Sequence, residues 1–378
     1  MEVTRIIIGG DLVPTKSNTA LFNNGDIIAL IGADLNKLLS KSDLRIFNLE
    51  VPLTNNQTPI PKCGPNLIAP TSTIKGIKAL NPSLITLANN HILDQGAQGL
   101  KSTVDTLITN GIPYVGAGNN LSEACQPYII EQGGCRIGVY ACAEHEFSIA
   151  TDNTPGANPF DPLESLDHIA ALKAECDYVI VLYHGGKEHY RYPSPYLQKV
   201  CRKMAQKGAD LVVCQHSHCI GCYEEYEGST IVYGQGNFIF DHSESEYWQT
   251  SILLKVTFDD KMTVEYLPIC KRGESVELAL GKEKTNILDQ FQYRSKQITE
   301  KGFIEKQYQS FAKSMEQNYL YAFAGFGKLM QRIDRRLFGG WLIKQRFSST
   351  KKLKIRNYIE CEAHRELIIN CLTRGNIE

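Results

Sequence analysis

The chain has 378 residues, of which 43% are hydrophobic and 21% are charged, a composition typical of a soluble globular protein. Its formal net charge of -1 excludes a global electrostatic attraction to nucleic acid or to an anionic membrane, so any such partner requires a local patch. The length is large for one compact domain, which predicts one large domain followed by an appendage.

The start of the sequence and its cysteines indicate a cytosolic protein. Only three consecutive isoleucines precede Gly9-Gly10, a run too short for a signal-peptide core or a membrane span. The 12 cysteines are therefore expected to be reduced thiols. Cys219 and Cys222 have the spacing of half a zinc knuckle, but no second pair accompanies them, which favours local packing. We expect a cytoplasmic location, with peripheral attachment to the inner face of the membrane as the alternative.

The first 270 residues alternate short apolar runs with stretches of helical periodicity, the pattern of a layered α/β domain. Buried strands are predicted at residues 5–9, 44–47, 84–88, 178–183 and 210–214. Helices are predicted at residues 72–80, 99–109 and 195–207. Two hairpins are predicted, one pairing 127–131 with 136–141 and the other pairing 250–258 with 262–269.

From about Val276 onward the strand pattern stops and helical spacing replaces it. Helical stretches are predicted at residues 297–317, 319–347 and 356–372. We therefore expect an α/β domain over residues 1–275 and an α-helical extension over residues 276–378.

The stretch 319–347 interleaves aromatic residues and leucines with six cations and one anion, and Gly339-Gly340 interrupts it. One interpretation is an amphipathic helix packed over its own domain. The other is a segment that docks on an anionic membrane or on a membrane-bound synthase. Nucleic acid is not expected as a partner, because the basic residues of this region are mixed with acidic ones and no nucleic-acid fold signature accompanies them.

Polar residues that can bind a metal follow each of the predicted buried strands. In chain order they are Asp11, Glu50, Asn90, His184, His216 and His218. Taken singly, each can be read as a helix cap, a turn residue or a core histidine. In open α/β sheets, however, the ligand crevice lies outside the carboxyl ends of the strands. The set therefore predicts one convergent site.

The side chains of this set suit a transition metal. Carboxylate, amide and imidazole ligands without a thiolate favour Mn, Fe or Zn, and one or two divalent ions are expected. On an extended chain, His216 and His218 would point the same way and could reach one cluster. A carboxylate that bridges two cations is the usual arrangement for metal-assisted hydrolysis.

Six motifs, in this order, resemble those of the CapA-type proteins of capsule synthesis. They are Gly10-Asp11, residues 48–54, 87–96, 184–188, 216–218 and 234–241. The resemblance covers roughly the first 270 residues and implies the calcineurin-like metallophosphoesterase fold, with two packed mixed sheets and flanking helices. The family is associated with poly-γ-glutamate capsule synthesis.

The resemblance also implies roles for individual residues. Asp11 and His218 would hold a first metal, Glu50 would bridge, and a second metal would be held by Asn90, His184 and His216. His91 would be the general acid that protonates the leaving group, although a histidine beside a ligand often only orients it. Asp94 and Glu188 would orient their neighbours or would be surface carboxylates.

One position departs from the phosphoesterase pattern. Metallophosphoesterases usually have a histidine two residues after the first aspartate, and this chain has Val13 there, so the first metal would have few protein ligands.

We expect a metal-dependent hydrolase acting on a small-molecule or polymer substrate in capsule, exopolysaccharide or poly-γ-glutamate metabolism. The bond cleaved would be a phosphoester or a γ-glutamyl amide. The alternative is a catalytically weak, metal-binding assembly protein for a membrane-bound polymer synthase, which the change at Val13 favours.

Overall fold

The structure is a computed structural model that describes residues 3–373. Two compact units divide the chain, the first ending at Ile304 and the second beginning at Glu305. The strands of the first unit are β1 (Thr4–Val13), β2 (Leu44–Leu49), β3 (Leu84–Thr86), β4 (Tyr114–Val115), β5 (Ala117–Gly118), β6 (Tyr128–Gln132), β7 (Cys135–Ala143), β8 (Gly156–Ala157), β9 (Tyr178–His184), β10 (Leu211–Gln215), β11 (Tyr223–Tyr226), β12 (Ser229–Tyr233), β13 (Asn237–Phe240), β14 (Thr250–Phe258), β15 (Met262–Arg272) and β16 (Ser275–Leu278).

The helices of this unit connect the strands. They are α1 (Thr19–Asn24), α2 (Ile27–Leu39), α3 (Ile74–Ala79), α4 (Gly96–Thr109), α5 (Leu121–Ala124), α6 (Ser165–Glu175), α7 (Pro195–Gln206) and α8 (Gly281–Gln297), with short 3-10 turns at Thr71–Thr73 and Glu246–Trp248. Helix α9 (Phe303–Phe323) begins at the end of the first unit, and most of it belongs to the second.

Two mixed sheets and a small antiparallel sheet of β5 and β8 form the first unit. The first has the strand order β16-β15-β14-β1-β2-β3-β4, and β13 also pairs with β1. Its strands β1 to β4 are parallel, whereas β14 to β16 are antiparallel to their neighbours. The second sheet has the order β11-β12-β10-β9-β7-β6, with a parallel centre and an antiparallel strand at each edge. The predicted α/β class of two packed mixed sheets with flanking helices is confirmed.

The alternation of apolar side chains along β1 explains how the sheets pack. Ile6 and Ile8 point into the core between the two sheets, which also contains Val139 of β7 and Leu182 of β9. Ile7 points to the opposite face, where the core under α1 to α4 lies. Because successive side chains of a strand point to opposite faces, one run of three isoleucines contributes to both cores.

Gly10 is the position at which the backbone of β1 approaches the chain just before β13. A Cβ atom there would lie 2.0 Å from the carbonyl oxygen of Gly236, so no other residue fits without moving the backbone. This approach places β13 beside the end of β1, where Asp11 pairs with Asn237. The glycine thus helps to bring two polar side chains to the same edge of the sheet.

The predicted strands, hairpins and helices of the first 270 residues are confirmed, with shifted ends. The third predicted strand stops early at Thr86, and β1 continues beyond its prediction to Val13. The first compact unit continues beyond the domain boundary expected at residue 275, because Ile287 and Phe291 of α8 are buried in the core between the sheets. Residues 1–2 and 374–378 of the two expected domains lie outside the described residues.

The second unit is helical, as expected of the appendage. After α9 it contains α10 (Lys328–Leu337), α11 (Trp341–Arg346), α12 (Ser349–Glu360) and α13 (Glu362–Thr373). A small core contains Leu320, Tyr321 and Ile343. The predicted stretch 319–347 is divided at Gly339-Gly340, as expected, and a second time between α9 and α10, where Gly325 adopts a left-handed conformation (φ 68°).

Candidate metal centre

The six residues predicted as metal ligands lie at the carboxyl ends of strands from both sheets. Asp11 lies near the end of β1, and Glu50 directly follows β2. His184 is the last residue of β9. Asn90 follows β3, and His216 and His218 follow β10. All six residues are buried, so the site lies where the two sheets meet rather than on an open surface.

The potential ligands divide into two overlapping groups that share Glu50. The first group is Asp11, Glu50 and His218, and the second group is Glu50, His184 and His216. Within each group, one ligand atom from each residue lies within 4.8 Å of the others. A shared carboxylate between two such groups is the arrangement expected of a bridging ligand.

The second group converges on Nε2 of His184. This atom lies 3.2 Å from Oε1 of Glu50, 3.0 Å from Oδ1 of Asn90 and 3.1 Å from Nδ1 of His216. Two donor atoms that are each about 2.1 Å from one ion lie roughly 3.0 to 3.4 Å apart, depending on octahedral or tetrahedral geometry. The observed separations therefore have the spacing of a coordination shell.

The first group is held by polar partners from the neighbouring strands. Nδ1 of His218 lies 3.5 Å from Oδ2 of Asp11 and 2.8 Å from Oδ1 of Asn237. The amide nitrogen of Asn48 donates to Oδ1 of Asp11 at 2.8 Å. The indole of Trp248 stacks on His218 with ring centroids 4.5 Å apart, which shields this side of the group from solvent.

Carboxylate oxygens that lack a hydrogen bond indicate that both groups fit a cation. Oδ2 of Asp11 and both carboxylate oxygens of Glu50 are buried and accept no hydrogen bond from the described residues. A buried carboxylate is costly unless a hydrogen-bond donor or a metal compensates its charge. These oxygens and the neighbouring imidazoles form a donor set that fits a divalent transition metal.

The backbone around the two histidines after β10 is strained. His216 and His218 both adopt left-handed conformations, with φ 82° and φ 52°. The chain is bent here rather than extended as expected, and it directs His216 to the second group and His218 to the first, the division that the resemblance implies. Such conformations cost about 1 to 3 kcal/mol each and are found mainly at functional sites.

The pKa values of the histidines differ between the two metal groups. Burial lowers the pKa of His216 well below its usual value, and the charges of His184 and His218 act in the same direction. Burial also acts to lower the pKa of His218, but the contact with Asp11 and the charge of Glu50 outweigh it and raise this pKa to about 9. His216 is thus neutral at pH 7, whereas His218 carries a proton in the metal-free protein.

His91 lies beside the second group and is oriented by Asp94. Nε2 of His91 is 4.0 Å from Oε1 of Glu50, and Nδ1 is 2.5 Å from Oδ2 of Asp94. Asp94 is itself held by the ammonium group of Lys62 and by the backbone N–H of Leu67 at 2.6 Å. This arrangement positions Nε2 of His91 toward the metal groups, as a general acid requires.

Glu188 is not a member of either group. It is half-buried on the loop after β9, and among the described residues it forms no hydrogen bond or ion pair with the predicted ligands. Its negative charge acts on His189, where it opposes the lowering of the pKa by burial. The role that the motif implies for Glu188 stays a prediction.

Three partners of the ligands were missed by sequence reasoning. Asn48 and Asn237 hold the two residues of the first group, and both lie inside motifs that had been recognised for other residues. Glu146 accepts from the amide of Asn90 at 3.1 Å and lies 3.9 Å from Nε2 of His216. It follows β7, so the strand-end rule applies to it too, but the hairpin pattern of this strand gives no sign of a ligand at its end.

A family comparison identifies the chain. Residues 5–242 match the sequence profile of the bacterial capsule synthesis protein PGA_cap. The chain belongs to this capsule synthesis family. The predicted resemblance to CapA-type proteins is thereby confirmed, and the matched range contains every residue of both metal groups.

Curated relatives within the family match over part of their length. The chain is 33% identical over 172 residues to the PGA biosynthesis protein CapA of Bacillus subtilis, covering 45% of each chain. It is 32% identical over 212 residues to the capsule biosynthesis protein CapA of Bacillus anthracis, covering 54% of this chain and 52% of the relative. The chain thus spans about half the length of the curated relatives it matches.

Solved structures with similar folds have low sequence identity. A novel phosphatase from Mycoplasma pneumoniae is 17% identical, with a TM-score of 0.45 over 72% of this chain and 95% of that chain. A 5'-nucleotidase precursor from Thermus thermophilus is 14% identical, with a TM-score of 0.41 over 79% of this chain and 59% of that chain.

Among residues 3–373 of this chain, no helix has the length and apolar character needed to cross a membrane.

Proposed function

We propose that the protein is a metal-dependent hydrolase that uses one or two divalent ions, Mn, Fe or Zn. The observation that carries the proposal is the pair of ligand groups that share Glu50, with buried carboxylate oxygens that accept no hydrogen bond from the described residues. When bound, such ions would supply polarisation of the scissile group and activation of water. The residues of the chain then have to bind, orient and protonate the substrate.

His91 is the residue best arranged for protonation. Its Nδ1 is engaged by Asp94, which leaves Nε2 to carry a proton toward the position next to Glu50. Asp94 and Lys62 fix the ring, so that little reorganisation is needed when the leaving group accepts the proton. Asn90 directly precedes His91 in the chain. The carboxylate of Glu146 accepts a hydrogen bond from the side-chain amide of Asn90, so that Oδ1 of Asn90 faces His184.

The substrate in this proposal is a small molecule or polymer of capsule, exopolysaccharide or poly-γ-glutamate metabolism. Membership of the capsule synthesis family and the printed name of the Bacillus subtilis relative support this metabolic setting. A phosphoester and a γ-glutamyl amide both have a centre that activated water can attack. The proposal includes a cytoplasmic location, for which the 12 free cysteines are the support.

The decisive experiment measures metal content and turnover on the same preparation. A generic phosphodiester and a γ-glutamyl anilide are offered to the full chain after chelation and again after addition of Mn²⁺. We expect turnover of one of them that requires metal. A chain that binds no transition metal, or that shows no metal-dependent turnover of either substrate class, would contradict the hydrolase proposal.

A second candidate function is metal-dependent assembly of a polymer synthase without catalysis. The observation that favours it is Val13, which is buried in the core and offers no ligand to the first group. A protein of this kind would bind one ion and would fail to turn over either substrate. Metal bound at the second group without hydrolysis would therefore favour assembly over catalysis.

A further inference from the structure

Helix α10 is held to its unit by hydrogen bonds of Asp334 and Gln331. The carboxylate of Asp334 is fully buried and accepts from the hydroxyl of Tyr321 at 3.0 Å. It also accepts from the backbone N–H groups of Leu342 and Ile343, at 3.0 and 3.1 Å, and so binds the start of α11. The Gln331 amide, near it on the same helix, donates to the Phe326 carbonyl oxygen at 2.7 Å. The inner face of α10 is therefore occupied by hydrogen-bonding groups.

Three apolar side chains of α10 are exposed although this helix is anchored by Asp334. Leu329 and Leu337 are 70% and 73% exposed, and Met330 between them is 43% exposed. With about 3.6 residues per turn, these residues lie within an arc of about 100° that borders on Asp334, which is three residues from Leu337 and four from Met330. Trp341, at the start of α11, is also more than half exposed, at 55%. An amphipathic helix normally buries its apolar arc, and this one leaves it uncovered.

The charges exposed on the same two helices are all positive. The one anion of residues 328–346 is Asp334, whose carboxylate is buried and used inside the unit. The exposed cations are Lys328, Arg332, Arg335, Arg336, Lys344 and Arg346. We call the exposed apolar residues of α10 and α11, together with these cations, the α10–α11 surface.

We propose that the α10–α11 surface docks on an anionic lipid surface. Exposed leucines, an exposed tryptophan and flanking arginines are the composition of helices that lie in the membrane interface. Apolar side chains enter the boundary between headgroups and acyl chains, and the cations contact the anionic headgroups. The uncompensated positive charge favours this occupant, because it is complementary to a uniformly negative surface. The proposal goes beyond the hydrolase function and does not depend on it.

The test is co-sedimentation of the full chain with vesicles. Vesicles of phosphatidylcholine alone are compared with vesicles that contain about one-third phosphatidylserine, at low and at high salt. We expect binding to the anionic vesicles that weakens with salt. Leu329→Ser combined with Leu337→Ser should weaken it by at least about tenfold, because two apolar side chains no longer enter the lipid. Arg332→Glu with Arg336→Glu should weaken binding to a similar extent, about tenfold or more.

A matched control lies in the same unit. Leu367 and Leu372 of α13 are 64% and 75% exposed, and Glu362 and Glu366 precede them on that helix. The variant with both leucines changed to serine should bind vesicles as the unchanged chain does. Circular dichroism and metal content verify that every variant is folded.

Three results would overturn the proposal. One is the absence of vesicle binding by the folded full chain, which would leave a protein partner as the occupant of the surface. Another is equal binding to vesicles with and without phosphatidylserine. The third is an equal loss of binding in the α10 and α13 leucine variants, because the effect would then be independent of the α10–α11 surface.

Discussion

The two metal-compatible groups share Glu50 but differ in the state of their histidines. In the second group, burial keeps His216 neutral, and three potential ligand atoms surround Nε2 of His184 at 3.0 to 3.2 Å. In the first group, His218 is tied to Asp11 and Asn237, and its pKa is raised to about 9.

This difference shows how the strand ends of two adjoining sheets can form two metal sites of unequal affinity. An ion that enters the first group at pH 7 has to displace a proton from His218, because a histidine ligand must be neutral at the coordinating nitrogen. In the second group His216 has no such proton to lose, and only His184 does, because the charge of Glu50 outweighs the effect of burial and raises its pKa. We therefore expect the second group to bind its ion more tightly, and the first group to be filled later.

The largest effect is expected from removing a histidine of the second group. His184→Ala takes away the nitrogen on which Glu50, Asn90 and His216 converge, so the ion at this group and all hydrolysis should be lost. His216→Ala should have the same result. Elemental analysis and turnover on the same sample provide the measurement.

The matched control for these variants is His168→Ala, because His168 is a half-buried histidine that contacts the Tyr140 hydroxyl outside both metal groups. It should keep metal and turnover. Full metal and full activity in both second-group variants would mean that the assignment of this group is wrong.

His91→Ala is expected to have the next largest effect. The variant should lose turnover by about 10²- to 10⁴-fold while it keeps its metal, because a general acid donates a proton without holding the ion. The loss should grow as the leaving group becomes more basic. Asp94→Asn should reduce turnover less, since His91 remains. Loss of metal together with activity in His91→Ala would identify His91 as a ligand or support instead.

The pH dependence of metal binding separates the two groups. Because the folded pKa of His218 is raised to about 9, protons compete with the ion at the first group, and affinity there should fall about tenfold for each pH unit below this value. We expect the number of ions bound per chain, at a fixed free metal concentration, to rise from one toward two between about pH 6.5 and pH 9. His218→Ala should keep one ion at every pH. A stoichiometry that does not change with pH would refute the difference between the groups.

The smallest effect is expected at Glu146. Glu146→Ala removes the acceptor that holds Asn90 and the carboxylate near His216, so the second group should bind its ion about 10- to 100-fold more weakly. Glu131→Ala, at an exposed glutamate of β6, is the control and should leave affinity unchanged. An unchanged metal affinity in Glu146→Ala would show that Asn90 is held by the rest of the fold.

The helices and strands were predictable because their signals are local. The isoleucines of β1, the alternation along β14 and β15, and the turn at Gly133-Gly134 are patterns of neighbouring residues. Strand ends were predictable for the same reason, and with them the ligand candidates. Glu146 could have been found by the same rule. Its strand had been read as part of a hairpin, although β7 also pairs in parallel with β9.

The sequence by itself determined which residues could bind a metal and that they would lie at one edge of the strands. Their division into two groups was implied by the family resemblance, and the tertiary structure brings it about through the contact of two sheets and the left-handed bends at His216 and His218. Only the tertiary structure decided that α10 faces outward with its leucines. A helical pattern specifies an apolar arc but not what covers it, and here the hydrogen bonds of Asp334 orient the helix.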